Sequence, residues 1–261
     1  GQSALRRTNH ADSYGSVAVG FNALGSNVSG EGNTAVGRAA LDAEDDGDYN
    51  TAVGWEALTN QTGISGAVGN TAVGYRAGHT ITTGQQNVAL GADALLASDD
   101  GVGNVALGYS SMAVGNAGNY NIGVGNQTLV DVAGSNNIAI GFQSLFDLTS
   151  GANNIALGHQ ALKTANGVEL QNIAIGTFAM LSVDEGASQH ADNNVAIGYS
   201  ALTGGAVSGG DFIDNIAIGK EALNSTGTNP HTGTIAIGAN ALTGLTSGGE
   251  NLAIGYQAMK T

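Results

Sequence analysis

A five-residue core recurs fourteen times along this 261-residue chain: Asn, then a β-branched residue or Leu, then Ala, then Val, Ile or Leu, then Gly. Its glycines are Gly20, Gly37, Gly54, Gly74, Gly91, Gly108, Gly125, Gly141, Gly158, Gly176, Gly198, Gly219, Gly238 and Gly255. An internal period constrains a fold more than a single motif does, because each repeat is one structural unit that must bury its apolar face against its neighbours. Most spacings are 16 to 18 residues, and a few lengthen to between 19 and 22. A period that holds near seventeen and stretches in only a few places describes a fixed turn with tolerant loops, as in a solenoid.

In a unit such as Asn215-Ile216-Ala217-Ile218-Gly219-Lys220-Glu221-Ala222-Leu223, large apolar residues stand two apart with Ala between them, which is strand alternation. The position three before the Gly is Val, Ile, Leu or Thr in all fourteen units, and the position directly before it is always Val, Ile or Leu. The residue between them is Ala except at Gly123, and Leu or Met follows four residues after the Gly except at Gly78. A helix fits poorly, since glycines and loop residues interrupt every unit. Two short strands per unit are expected. The repeated Gly, as at Gly54, Gly141, Gly176, Gly219 and Gly255, would supply φ > 0 or a close backbone approach at the turn. Asn opens twelve of the fourteen cores, with Ser16 and Thr234 in the other two, and can bond neighbouring backbone or stack on the Asn of the next coil. The expected fold class is all-β, a parallel β-solenoid of about 14 coils over residues 16–261, after a lead-in or connection over 1–15. At one strand spacing per coil the stack would run about 65–70 Å.

The middle Ala and the flanking pair face opposite sides, so two interiors are required. Of the 28 flanking positions, 25 are Val, Ile or Leu and three are Thr. Burying each large side chain contributes about 1.5–3 kcal/mol, and leaving the stripe in water would create an aggregation-prone patch. No other segment is long and apolar enough to cover it, so an identical stripe from another copy is expected to do so by rotational symmetry. Val53, Ile140, Ile175, Ile197, Ile218, Ile237 and Ile254 are therefore read as the oligomer core. Thr34, Thr51 and Thr71 would set a polar band in it, either holding water or an anion or bonded within their own chain.

Composition excludes several classes. The 7 Lys+Arg against 21 Asp+Glu, a formal net charge of -14, disfavour nucleic acid. No apolar run is long enough to span a bilayer, so no membrane insertion by these residues is expected. The chain has no Cys and a single Pro, and its 43 Gly lack the Gly-X-Y period of collagen. It has no initiator Met and reads as a segment of something longer. Nucleophile-elbow, phosphate-loop and zinc-protease motifs are missing and the five His fall in different units, so no enzyme activity, cofactor or metal is expected. The run Asp42-Ala43-Glu44-Asp45-Asp46-Gly47-Asp48 has carboxylates enough for Ca²⁺ but not the spacing of a known loop, and reads as a solvated acidic loop. Together with Leu181 to Asp192 and Thr203 to Asp214 it is expected to project from the stack. Seven of the thirteen aromatics follow a core Gly directly: Phe21, Trp55, Tyr75, Tyr109, Phe142, Tyr199 and Tyr256. Two readings stand for them, packing between coils or chains, and an outward row that contacts a glycan or receptor. Trp55, Tyr75, Tyr109, Tyr199 and Tyr256 are the contact candidates.

The cores Asn33-Thr34-Ala35-Val36-Gly37, Asn137-Ile138-Ala139-Ile140-Gly141 and Asn172-Ile173-Ala174-Ile175-Gly176 resemble the head repeats of trimeric autotransporter adhesins and the repeats of trimeric phage tail fibres. Gly255-Tyr256-Gln257-Ala258-Met259 and Gly141-Phe142-Gln143-Ser144-Leu145 are similar to the tail that follows such cores. The resemblance covers roughly residues 16–259 and implies a left-handed parallel β-roll, three copies of which pack around one axis as a homotrimer. It implies a structural fibre segment of a virion appendage, a rigid rod at the virion surface. Its partners would be other fibre or baseplate proteins and a host surface glycan or protein. The alternative it leaves open is the head of a bacterial trimeric surface adhesin, extracellular on the cell.

Overall fold

The computed structural model describes residues 14–62, 65–165, 169–182, 191–204, 211–224, 231–246 and 248–260. His10, His190 and most of the loops expected to project between Leu181 and Asp192 and between Thr203 and Asp214 lie outside them. The chain divides into two units, Gly1–Gln127 and Thr128–Thr261.

In the first unit the repeat cores form the strands Val17–Val19, Thr34–Val36, Thr51–Val53, Thr71–Val73, Val88–Leu90, Val105–Leu107 and Ile122–Val124. Each pairs in parallel with the next in strict register, Ala on Ala until Ala106 meets Gly123. The second unit repeats the arrangement with Ile138–Ile140, Ile155–Leu157, Ile173–Ile175, Val195–Ile197, Ile216–Ile218, Ile235–Ile237 and Leu252–Ile254. The fold is a parallel β-solenoid, and among the described residues it has no helix. Seven stacked strands complete six turns in each unit, so the turns number about twelve rather than fourteen.

The expected second strand of each unit is replaced by a wall of turns. Two-residue pairs, Gly47–Asp48 on Gly66–Ala67 and Phe212–Ile213 on His231–Thr232, are the only further strands among the described residues. The physical reason lies after the core Gly, where consecutive residues such as Ala23 and Leu24, or Ala222 and Leu223, are both fully buried. An extended strand sends neighbours to opposite faces and cannot do this. Left-handed Leu residues, with φ between 47° and 53°, break the alternation. Such a conformation costs an L-residue about 1–2 kcal/mol. Buried Leu side chains and inter-coil hydrogen bonds offset that cost, as where the Leu24 N–H donates to Ala40 O at 3.0 Å and Leu162 N–H to Ala179 O at 2.9 Å.

Two columns lock the coils together. The core Ala residues from Ala35 to Ala253 fill the interior, almost all with no exposure. Beside them the buried Asn residues form a one-way ladder. The Asn50 N–H donates to Asn33 Oδ1 at 2.8 Å, Asn87 N–H to Asn70 Oδ1 at 2.8 Å, and Asn215 N–H to Asn194 Oδ1 at 3.0 Å. The side-chain amide reaches the loop of the following coil, as where Asn33 Nδ2 donates to Gly47 O at 2.7 Å and Asn194 Nδ2 to Phe212 O at 2.7 Å. Most of these buried amides are thus satisfied within the chain, with Asn50 Nδ2 the exception, buried without a partner among the described residues.

The core glycines carry φ between 125° and 145°, a region closed to other residues. A Cβ on Gly141 would stand 2.5 Å from Gly158 O, whereas one on Gly255, at the same φ of +125°, would meet nothing within 4 Å.

The acidic run corrects the expectation of a projecting solvated loop. Glu44 is fully buried, with Gly47 N–H donating to Oε1 at 2.7 Å and Gln61 Nε2 to Oε2 at 2.7 Å. It stands seventeen residues from both Asn27 and Gln61, so the three form one interior polar column. Burial pushes its carboxyl above the usual range against the bonds from Gly47 and Gln61, with Asp45 adding to the rise.

Two outcomes follow. Gly255→Ala should cost about 1–3 kcal/mol from backbone strain alone, and Gly141→Ala about 1–3 kcal/mol more for the clash, both measured by denaturant unfolding. A raised folded-state pKa means stability that is full below the unfolded value near 4.5 and declines as pH rises through the folded value. Thermal midpoints followed upward from pH 4 should therefore fall less in Glu44→Gln than in the parent.

Candidate functional site

The strands place the two flanking columns on the outer face, opposite the buried Ala. In the first unit Val17, Val19 and Leu90 are exposed and Val53 is half-buried. In the second, Ile140, Leu252 and Ile254 are exposed, while Ile175, Ile197, Ile218 and Ile237 are half-buried. None of the 28 positions is ionisable. Every residue read from sequence as oligomer core thus lies on this face. Thr34, Thr51 and Thr71 lie on it in direct register. Among the described residues their hydroxyls take no hydrogen-bond partner, which corrects the expectation that an intrachain bond satisfies them.

The residues after each core Gly form a corner beside this face, and the two units use it differently. In the second unit Phe142 stacks on His159 with centroids 5.4 Å apart, His159 meets Phe178 edge-on at 5.3 Å, and Phe178 meets Tyr199 at 5.9 Å. Gln160 Nε2 donates to Gln143 Oε1 at 2.9 Å alongside. Packing between coils accounts for these rings, and His159 is held between two of them. In the first unit two of the rings, Trp55 and Tyr75, meet cations instead. The Arg38 guanidinium lies 4.7 Å over Trp55, and Arg76 lies 5.9 Å from Tyr75. Arg38 also pairs with Glu56 at 2.8 Å, and Arg76 stands 4.0 Å from Asp93. His79 Nε2 is 3.6 Å from Glu56, yet burial and the nearby Arg76 hold its pKa below the usual imidazole value.

Trp55 and Tyr75 are each 50% exposed, and Tyr109, Tyr199 and Tyr256 are also exposed. The ionic partners of this corner escaped the sequence reading. Their signal was the recurrence of charge one or two residues after the core Gly, at Arg38, Glu56, Arg76 and Asp93. Elsewhere His231 is buried against Phe212, its Nδ1 3.1 Å from Gly248 O. Among the described residues no three His, Asp or Glu side chains gather as metal ligands would.

Comparison with protein-family models, curated proteins and solved structures returned no match. The reading of function therefore rests on the geometry of the outer face and its corner.

An exposed cation–π contact is worth about 0.5–1 kcal/mol, whereas Phe178 joins two ring pairs worth about 0.5–1.5 kcal/mol each. Phe178→Ala should lower the unfolding free energy more than Trp55→Ala does, in parallel denaturant titrations.

Proposed function

We propose that this chain is a noncatalytic structural segment of a virion appendage such as a phage tail fibre, working at the virion surface as a homotrimer of left-handed β-rolls. The observation that carries the reading is the uncharged Val/Ile/Leu face, half-exposed along both units. Such a face in water is an association surface, and a closed symmetric assembly is the arrangement that covers it on every copy. The spacing favours a second copy as the cover. Each strand presents its pair of apolar side chains one strand spacing from the next, and another solenoid of the same sequence matches that repeat along its length. The formal charge of -14 lies off the face, so copies approach without burying like charges.

Three copies sharing this face gain a common core, and the continuous ladders of each unit supply stiffness. The fibre would hold a tip or loops away from the particle for host attachment, joined to other fibre or baseplate proteins. The exposed rings Trp55, Tyr75, Tyr109, Tyr199 and Tyr256 are the proposed contacts to a surface glycan or protein. Tyr199 is the least supported of the five, since Phe178 packs edge-on against it.

Ile218 stands on the outer face, while the coil interior beneath it is filled by Ala217. Ile218→Asp should leave the single-chain fold intact and place one carboxylate per copy in the shared core. Light scattering with size-exclusion chromatography should then show dissociation, together with a lower melting temperature. A variant that stays fully assembled and equally heat-resistant would refute the shared-core reading.

A further inference from the structure

A face built from near-identical coils poses a problem that the apolar effect alone cannot solve. If one copy slides along another by one coil, about 4.8 Å, Val, Ile and Leu side chains again meet Val, Ile and Leu, and nearly the same area is buried. Apolar burial is non-directional and scarcely distinguishes the two alignments. A lasting assembly with a defined tip needs something on the face that is not repeated in every coil.

We infer that Thr34, Thr51 and Thr71 set the axial register between copies of this chain. The inference rests on the shared-core reading above, because it supposes that a second copy covers the outer face. Three observations carry it. These are the only polar residues among the 28 outward positions, and they occupy three consecutive coils in one column. They stack in direct register, Thr34 on Thr51 and Thr51 on Thr71, and apolar Val17 and Val88 bound them in the same column. Their hydroxyls also take no partner within the chain among the described residues.

When the face is covered, each hydroxyl loses water and must find a donor or acceptor across the interface. With the copies in register, Thr meets Thr in all three layers, and a hydroxyl can donate to one neighbour while accepting from another. A slip of one coil sets Thr34 of one copy against Val17 of the next, and Thr71 against Val88, so two layers lose their partners. A slip of two coils leaves four such mismatches. Each orphaned hydroxyl lowers the slipped population by about tenfold. This is the role a lone polar residue plays in a coiled-coil seam, where it gives up some stability and selects one alignment. The band belongs to the first unit, so alignment is chosen there.

The absence of cysteine from the chain makes the test direct. Leu90 and Leu107 are outward residues on adjacent, paired strands. Full-length chains carrying Leu90→Cys are mixed with chains carrying Leu107→Cys, unfolded and refolded together, oxidised, and their disulfides counted by mass spectrometry. Copies in register give same-site links, and copies slipped by one coil give mixed-site links, since a disulfide bridges Cβ atoms only about 3.5–4.5 Å apart. In the parent background same-site links should dominate. In the triple variant Thr34→Val, Thr51→Val, Thr71→Val, which removes no intrachain hydrogen bond and keeps the β-branched shape, the mixed-site fraction should rise about tenfold or more. Melting curves should show the triple variant at least as stable as the parent. An unchanged link ratio in an assembled triple variant would overturn the register role and leave the shared core standing. A parent that remains monomeric by light scattering would overturn both.

Discussion

Every coil of a solenoid must satisfy its backbone groups upward and downward at once, and here the buried Asn column decides whether it can. A three-residue strand is short for a turn of seventeen residues, and backbone bonds between successive turns, such as Leu24 N–H to Ala40 O and Tyr49 N–H to Glu31 O, share with side chains the work of joining core to loop. The Asn amide connects them. Its oxygen receives the N–H that opens the next coil, and its nitrogen holds the carbonyl of the loop that leads there, as Asn33 does with Asn50 and Gly47. With those points fixed, the Ala column can close to full burial, the Gly column can bring backbone against backbone, and Leu residues can be held at positive φ.

The outer face is a consequence of that closure. A narrow interior admits only Ala, or Gly at Gly123, in mid-strand, so the larger side chains that make a three-residue strand worth forming must point away from it. The chain cannot bury both sets by itself. Its single-chain stability and its uncovered apolar face thus derive from the same alternation, and a larger residue in place of a core Ala would disturb the first without touching the second.

Much of this was legible in the residues. The period of the core gave the solenoid, the Ala-between-Ile alternation gave the two faces, and the repeated Asn pointed to a ladder. What escaped had physical causes. Positive φ at Leu24 or Leu162 cannot be read from a residue type that avoids it, so the turn wall looked like a second strand. Glu44 looked solvated because it stands among Asp45, Asp46 and Asp48 in sequence, and only its stacking between Asn27 and Gln61 reveals an interior site. The rings after the core Gly look alike in sequence, yet Phe142 packs on a ring and Trp55 under a guanidinium, because the residue stacked one coil away differs.

The Asn ladder also has a direction. Within each unit, every bond described along it runs from a later coil's N–H to an earlier coil's oxygen, and the earlier amide also grips the later loop. Each coil therefore carries the template for its successor. A chain made N-terminus first presents that template before the next seventeen residues exist, so coils can be laid down in order of synthesis rather than searched for after release. Since each new coil need find only the one beneath it, the number of repeats can change without making any single step of folding harder.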